Sequence, residues 1–495
     1  MWNFIRKGVA RLNNYINKEI GVSPDNLELL AKEVTRFLHS PERLDMLKAY
    51  EYYNDNQDIL RHKRTMINED GDIEEVTNVK NYKVIDNMYA THVDKKVSYL
   101  TGNKFAIKTD NDAYTDVLDE YFDLRLRNKI KMVCGDMVKC GVGYLHPYYK
   151  DNELKFKRFK PYEVKVYYAD DEKEEIDFFF RHYTNRVYTN RVYTRGYNEE
   201  FVEYVDVYTK EGVKTYKYVN NHLLPTGEEE KSYLSFSDGS NMKWKKFPLL
   251  VFRYNEDEQV LLNRIKSLQD GINLITSTFE NNMLEDARDT ILVVENFDGT
   301  NPGELRHNLS TYGTIQIRNT EGGSGGVSTL KLEINSENYK IILEQFKKAL
   351  IKGMKSVDVE DLKSGTPNQM NIQSMFSEID QDATNMENEM LKTLDDMLWF
   401  IDIDIALKGQ GNFENEKVNI IFNRDMLQDE TSIIDNTVKL IGLVSDETLL
   451  AQIPFIDDPA AENDRVKKQR EEEQPEEFKM GYGGNDKDKV EDDEE

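Results

Sequence analysis

Apolar positions recur first at helical spacing. Leu27, Leu29, Leu30, Val34, Phe37 and Leu38 mark one stripe, and Leu44, Leu47 and Tyr50 follow Pro41, so helix is expected over residues 26–62. A second helix is expected over 82–101, where Val84, Ile85, Met88, His92, Val93, Val97 and Leu100 keep a 3.6 period and Gly102 stands at the stop. A third is expected over 112–139. From Gly141 to about 255 the texture changes to alternation rich in aromatic and β-branched residues, as in Phe201-Val202-Glu203-Tyr204-Val205-Asp206-Val207-Tyr208, which predicts an antiparallel β region. Within it Thr184-Asn185-Arg186-Val187-Tyr188 is repeated at once as Thr189-Asn190-Arg191-Val192-Tyr193. An odd period flips faces in a strand, so the repeat reads as a duplication lengthening a hairpin.

Helical spacing returns over 256–287, with Val260, Leu261, Ile265, Leu268, Ile272, Ile275, Phe279 and Met283 as its stripe. A turn-rich module at 288–334 opens on the strand Thr290–Val294 and holds the run Gly322-Gly323-Ser324-Gly325-Gly326. Helix is expected again over 336–355. A polar stretch then leads to a long helix at 369–407 carrying Met375, Ile379, Met386, Met390, Leu394 and Phe400. A short strand at 418–422 and helix over 430–468 complete the pattern, and the class is α+β. The first 21 residues read as an amphipathic packing helix on Trp2, Ile5, Val9, Leu12 and Ile16. From Arg470 the chain is mostly Glu, Asp, Lys and Gly, and a disordered acidic tail over 469–495 is expected.

Composition narrows the function. In 495 residues, 32% are charged and 39% hydrophobic, low apolar content that suits an elongated subunit or an oligomer burying polar faces. A formal charge of -27 argues against tight, conventional nucleic-acid binding. Cys134 and Cys140 make no disulfide framework and have no neighbouring ligands for zinc, so two buried reduced thiols are expected. No signal or membrane segment is legible, which points to a soluble intracellular protein.

Candidate chemistry is sparse. No Gly-Lys pair exists, which excludes a Walker A phosphate loop, and neither a His-Glu-x-x-His pair nor a Gly-x-Ser-x-Gly elbow occurs. The seven histidines are scattered, and His92, beside an apolar stripe, is expected to be a packing histidine. Asp402 and Asp404 could share one face of a strand, as a metal-dependent nuclease would need. With no third acid nearby, the amphipathic end of a helix is the better reading. No catalytic residue, metal or cofactor is therefore assigned. One charge pattern stands out: Lys340, Lys347, Lys348, Lys352 and Lys355 share a helix face opposite Ile342, Leu343, Phe346, Leu350 and Met354. Repeated around a ring, that face would form basic belts inside an acidic particle, attracting DNA weakly and without base readout.

The element order, with four segments, resembles the portal proteins found in siphophages of Gram-positive bacteria. The segments are Val84-Ile85-Asp86-Asn87-Met88-Tyr89 through Leu100-Thr101-Gly102-Asn103; Phe247-Pro248-Leu249-Leu250-Val251-Phe252 with Asn255-Glu256; Ser364-Gly365-Thr366-Pro367-Asn368-Gln369-Met370; and Gly442-Leu443-Val444-Ser445-Asp446-Glu447-Thr448-Leu449 with Pro454-Phe455-Ile456-Asp457-Asp458 and Glu462. Asn371 departs from the family's usual Lys, and two residues are inserted nearby.

The resemblance spans roughly residues 30–468. It implies a mostly helical, elongated subunit of a homo-oligomeric ring, usually a dodecamer, at one capsid vertex. Residues 1–255 with the long helix at 370–408 would form the wing. Residues 256–287 and 336–355 would be stem helices, 288–334 the clip, 356–369 the tunnel loop and 409–468 the crown. The tunnel loop would hold Asp358, Glu360, Lys363, Ser364, Gly365 and Pro367 and shift as DNA passes. The implied partners are double-stranded DNA, terminase, a head-completion adaptor, and major capsid and scaffolding proteins, with no membrane. The implied location is the virion, after assembly in the host cytoplasm. The runner-up is another virion structural protein, a minor capsid or baseplate component without a channel.

Overall fold

The computed structural model describes chiefly residues 26–286, apart from 68–70, 78–79, 191–196, 228–229 and 236–240; then 291–295, 326–330, 336–358, most of 369–424 and parts of 434–473. The expected N-terminal helix, the run Gly322–Gly325 and the tail beyond 473 lie outside the described residues.

The first compact unit draws on Met1–Val357 and Glu378–Asp425. It opens with helices α1 (Leu27–Leu38) and α2 (Pro41–Tyr53), capped by Asn26 and Ser40, whose side chains accept from Leu29 N and Arg43 N. Strands β1 (Thr65–Ile67) and β2 (Ile73–Glu75) form a separate two-stranded sheet. Helix α3 (Met88–Thr101) and strand β3 (Ala106–Lys108) follow. Next come α4 (Asp112–Tyr121) and α5 (Leu124–Cys140), where a single helix was expected. The break has a local cause: the Asp123 carboxylate accepts from Leu126 N at 2.7 Å and starts a new helix. Helix α5 ends at Gly141, whose φ of 80° favours glycine.

The expected antiparallel region is there. Strands β6 (Val164–Tyr168), β7 (Ile176–Asn190), β8 (Tyr197–Tyr208), β9 (Val213–Val219) and β10 (His222–Pro225) form a five-stranded sheet in the order β10-β9-β8-β7-β6. Strands β4 (Val142–Lys150), β5 (Glu153–Phe159) and β13 (Leu250–Arg253) make a second sheet, and β11 (Leu234–Ser235) pairs with β12 (Asn241–Met242). The larger sheet is buried on both faces. Phe178, Phe180, Val205 and Val207 pack with Leu30, Val34 and Phe37 of α1, while Phe179, Tyr208, Val164 and Val166 pack with Val142, Tyr144 and Phe159. Two-sided burial explains the unbroken run Phe178-Phe179-Phe180 inside an otherwise alternating strand. The first copy of the repeat extends β7, with Thr184 opposite Glu203 and Tyr188 opposite Glu199.

Helix α6 (Leu262–Asp286), strands β14 (Ile291–Glu295) and β15 (Gly326–Leu330), and helix α7 (Ser336–Gly353) follow in order. Strands β14 and β15 pair antiparallel from Ile291–Leu330 to Glu295–Gly326. Helix α6 starts later than the expected residue 256. Asn255 Oδ1 accepts from Gln259 N at 3.2 Å, and Glu258 sits at a φ of 51°, so the chain turns before the helix begins. Helix α8 (Gln369–Leu407) has the expected bounds, and β16 (Asn419–Ile421) pairs with β3.

The second unit draws on Asp358–Ser377 and Met426–Glu495. It holds the start of α8, with Ile372 and Phe376 buried, and contains α9 (Asp446–Leu450) and α10 (Pro459–Glu473). Two expectations change here. Continuous helix over 430–468 is interrupted where Gly442 takes a φ of 84°, and α10 carries helix past residue 468 into the start of the segment expected to be disordered.

Candidate channel hairpin and its anchorage

Helices α6 and α7 pack as an antiparallel pair joined through β14 and β15. Gly271 lets them approach: a Cβ there would strike the ring of Phe346. Leu350 and Met354 are buried against this base, as the apolar stripe required, while Ile341 and Ile342 remain 47% and 44% exposed.

Polar residues at steps of four, Gln269, Asn273, Ser277 and Asn281, run down one side of α6 and are all buried. They hold the backbone of an extended segment that was expected to be helix. Tyr82 N donates to Asn281 Oδ1 at 2.9 Å, Val84 N to Ser277 Oγ at 2.9 Å, and Asp86 N to Asn273 Oδ1 at 3.0 Å. Gln269 closes the ladder by donating to the Asp86 carbonyl at 2.7 Å and accepting from Tyr89 N at 3.1 Å. Four helical residues rise about 6 Å and two extended residues nearly 7 Å, so the spacings match. Helix α3 therefore starts only at Met88, with Asn87 Oδ1 accepting from Ala90 N at 3.0 Å. The i+4 run of amide and hydroxyl side chains was the available signal, hidden beside the apolar stripe of the same helix.

The five lysines of the expected row do not remain one face. Lys340 is exposed and 4.0 Å from Glu344. Lys347 reaches Asp86 at 2.7 Å, tying α7 to the extended segment. Lys348 and Lys352 are exposed one turn apart, and neither makes an ion pair among the described residues. Lys355 leaves the row because the helix ends in a reversal: Ser356 N donates to the Ile351 carbonyl at 3.1 Å and Lys355 takes a φ of 48°. That turn aims its ammonium at Asp382, 3.2 Å away.

Asp382 is the centre of a buried cluster. Its carboxylate accepts from Lys96 Nζ at 2.5 Å and from Tyr254 OH at 2.7 Å, with Lys96 fully buried. Burial works against the Asp382 charge, but Lys96, Tyr254 and Lys355 outweigh it and hold its pKa below the ordinary carboxylate value. Burial also pulls the Lys96 ammonium down, opposed by Asp382. The cluster joins α3, the end of α7 and α8. One residue further on, Ser356 Oγ lies 2.8 Å from Nδ1 of His92, which is buried as a packing histidine.

Ser356 and Val357, the start of the expected tunnel loop, are buried, and Asp358 is half-exposed. Glu360, Lys363, Ser364, Gly365 and Pro367 lie outside the described residues. The other candidate groups are structural. Asp402 accepts from Tyr114 OH at 2.6 Å, whereas Asp404 accepts from Tyr121 OH at 2.5 Å and Tyr149 OH at 2.7 Å. Residues two apart on a helix point to different sides, so the two carboxylates do not converge. Cys134 and Cys140 are free and buried, and burial pushes the Cys134 thiol up to about 12. Among the described residues no cluster of three His, Cys, Asp or Glu could hold a metal, and no helix is long and apolar enough to cross a membrane.

An antiparallel helix pair around a small β module, anchored at its base to a mixed α+β body, is the arrangement expected of a portal subunit. Residues 39–476 match the family of phage portal proteins described as SPP1 Gp6-like, and the chain belongs to that family. Its function is that of a phage portal. It is 26% identical over 440 residues to the portal protein of Bacillus phage SPP1, spanning 87% of this chain and 84% of the relative. To the portal protein of Clostridium phage phiCD119 it is 24% identical over 432 residues, spanning 84% of this chain and 90% of the relative.

Proposed function

We propose that about twelve copies of the chain close into a ring at one capsid vertex and that α6 and α7 surround the path of double-stranded DNA during packaging and ejection. The observation that carries this reading is the state of the α7 lysines. Lys347 and Lys355 bind acids of the body, and Lys348 and Lys352 are exposed to solvent. Exposed lysines on each copy, repeated by rotation, attract phosphates without gripping any base. The β14–β15 module is the docking platform for terminase during packaging and for the head-completion adaptor afterwards. The loop at 356–369 shifts as DNA moves past it. Capsid and scaffolding proteins are its partners during assembly, the ring ends in the virion, and the chain supplies no catalytic step of its own.

Native mass spectrometry with negative-stain class averages of the full chain tests the reading. A closed ring of about twelve copies with a central hole is expected, and a compact dimer would overturn it. Deleting residues 360–366 is expected to lower the packaged DNA per capsid, and a wild-type yield would remove the loop's role.

A further inference from the structure

Just beyond the end of α7, three consecutive residues are tied to one turn of α3. Lys355 reaches Asp382, the partner of Lys96, at 3.2 Å. Ser356 Oγ lies 2.8 Å from Nδ1 of His92, and Lys95 Nζ donates to the Val357 carbonyl at 3.5 Å. His92, Lys95 and Lys96 stand at steps of three and four and so share one face of α3. Ser356 and Val357 are both buried.

The first tie is the one that can be given up. Asp382 meets two ammonium groups, and only one of them is locked in. The Lys96 side chain is 0% exposed, whereas that of Lys355 is 43% exposed. Lys96 and Tyr254 satisfy the carboxylate without Lys355, so its departure strands no buried charge. Lys355 also holds its backbone at a φ of 48°, a conformation that glycine takes freely and lysine only at a cost. Relaxing that residue to the ordinary helical region continues α7. Lys355 would then stand about 20° from Lys348 and about 60° from Lys352 around the helix axis, as a third ammonium on their exposed row.

We propose that Lys355 is exchanged between Asp382 and DNA: phosphates passing α7 draw its ammonium into the row of Lys348 and Lys352, the left-handed turn relaxes, and Ser356 and Val357 leave the face of α3. When the DNA has gone, the ammonium returns to Asp382. The exchange rests on the ring reading above and makes the belt of lysines stronger when the channel is occupied. The competitor is a polyanion by its chemistry, because only repeated negative charge gains from a third ammonium beside two exposed ones.

Thiol labelling of rings of the full chain tests it. Val357→Cys rings are treated with a thiol reagent at low ionic strength, with and without linear double-stranded DNA. Cys134 and Cys140 are buried and do not compete. DNA should speed labelling of the introduced thiol at least tenfold. With Lys355→Gly added, the turn is unstrained and has no ammonium to give up, so labelling should stay slow in both conditions. With Lys355→Ala added, the strain remains and the tie to Asp382 is gone, so labelling should be fast even without DNA. A second arm needs no cysteine: Lys355→Gly alone should lower the slope of log DNA retention against log salt, because a phosphate contact on each copy is lost. A slope unchanged by Lys355→Gly overturns the exchange, as does labelling that is indifferent to DNA in rings that hold it. Either result leaves the portal reading intact. Rings that hold no DNA even at low salt also overturn the exchange, and failure of the unsubstituted chain to form rings overturns both.

Discussion

The two helices of the hairpin treat their polar residues in opposite ways. Helix α6 turns Gln269, Asn273, Ser277 and Asn281 inward, where each meets a backbone group of residues 82–89. Helix α7 leaves Lys340, Lys348 and Lys352 in solvent. Both runs repeat near helical spacing, and a periodic polar run on an amphipathic helix is normally a solvated face. The difference lies in what the side chains can do. An amide or hydroxyl can satisfy a strand of backbone in the interior without carrying charge there, whereas an ammonium needs a carboxylate. Where α7 lysines do turn toward the body, at Lys347 and Lys355, a carboxylate is waiting in Asp86 or Asp382.

Inward polar groups should therefore be costly to remove and outward ones nearly free. The largest effect is expected at Asp382. Asp382→Ala strands the buried Lys96 ammonium and should lower the unfolding free energy by about 3–5 kcal/mol, read by chemical denaturation. Lys96→Met combined with Asp382→Leu should recover most of that loss. If the single variant is as stable as the parent, the cluster is not an anchor.

A pH scan probes another inward group. His146 is buried with Nδ1 at 2.5 Å from the Pro248 carbonyl, and burial lowers its pKa from 6.5 to about 4. The folded chain thus prefers neutral imidazole. Its contribution is complete above pH 6.5 and is lost as pH falls toward 4, on the order of 3 kcal/mol in all. Asp382, whose folded pKa is depressed, keeps its contribution through that window and loses it only at lower pH. A melting-temperature profile of His146→Gln should be flatter than the parent's between pH 6.5 and 4.

The ladder comes next. Asn273→Ala removes the acceptor of Asp86 N and the donor to Gln57 and should cost about 2–3 kcal/mol. Hydrogen exchange at the Tyr82, Val84 and Asp86 amides should accelerate with it. The smallest effect on stability belongs to Lys348→Ala with Lys352→Ala, within about 0.5 kcal/mol each. That pair should instead reduce the salt dependence of DNA retention by the ring. A stability loss as large as at Asn273 would erase the contrast between the two helices.

The chain's own periodicities carried much of the architecture. The bounds of α8, the antiparallel region from Val142 to Arg253, the place of the first copy of the repeat in β7, and the helix–β–helix order of α6 to α7 were all legible. So were the packing role of His92 and the buried thiols. These follow from local rules, because apolar period selects helix or strand and burial selects residue type. What was not legible depended on partners distant in sequence. Val84 and Ile85 keep helical spacing, yet the segment is extended because side chains almost two hundred residues later bind its backbone. Lys355 fits the lysine row by number, and only the left-handed turn at the end of α7 sends it to Asp382. Asp402 and Asp404 are neighbours in sequence, and the helix parts them toward different tyrosines. Sequence period determined which elements exist and where several of them begin. Tertiary structure decided which polar groups are structural and which stay free to meet another molecule, because a hydrogen bond or ion pair is settled by two partners in space.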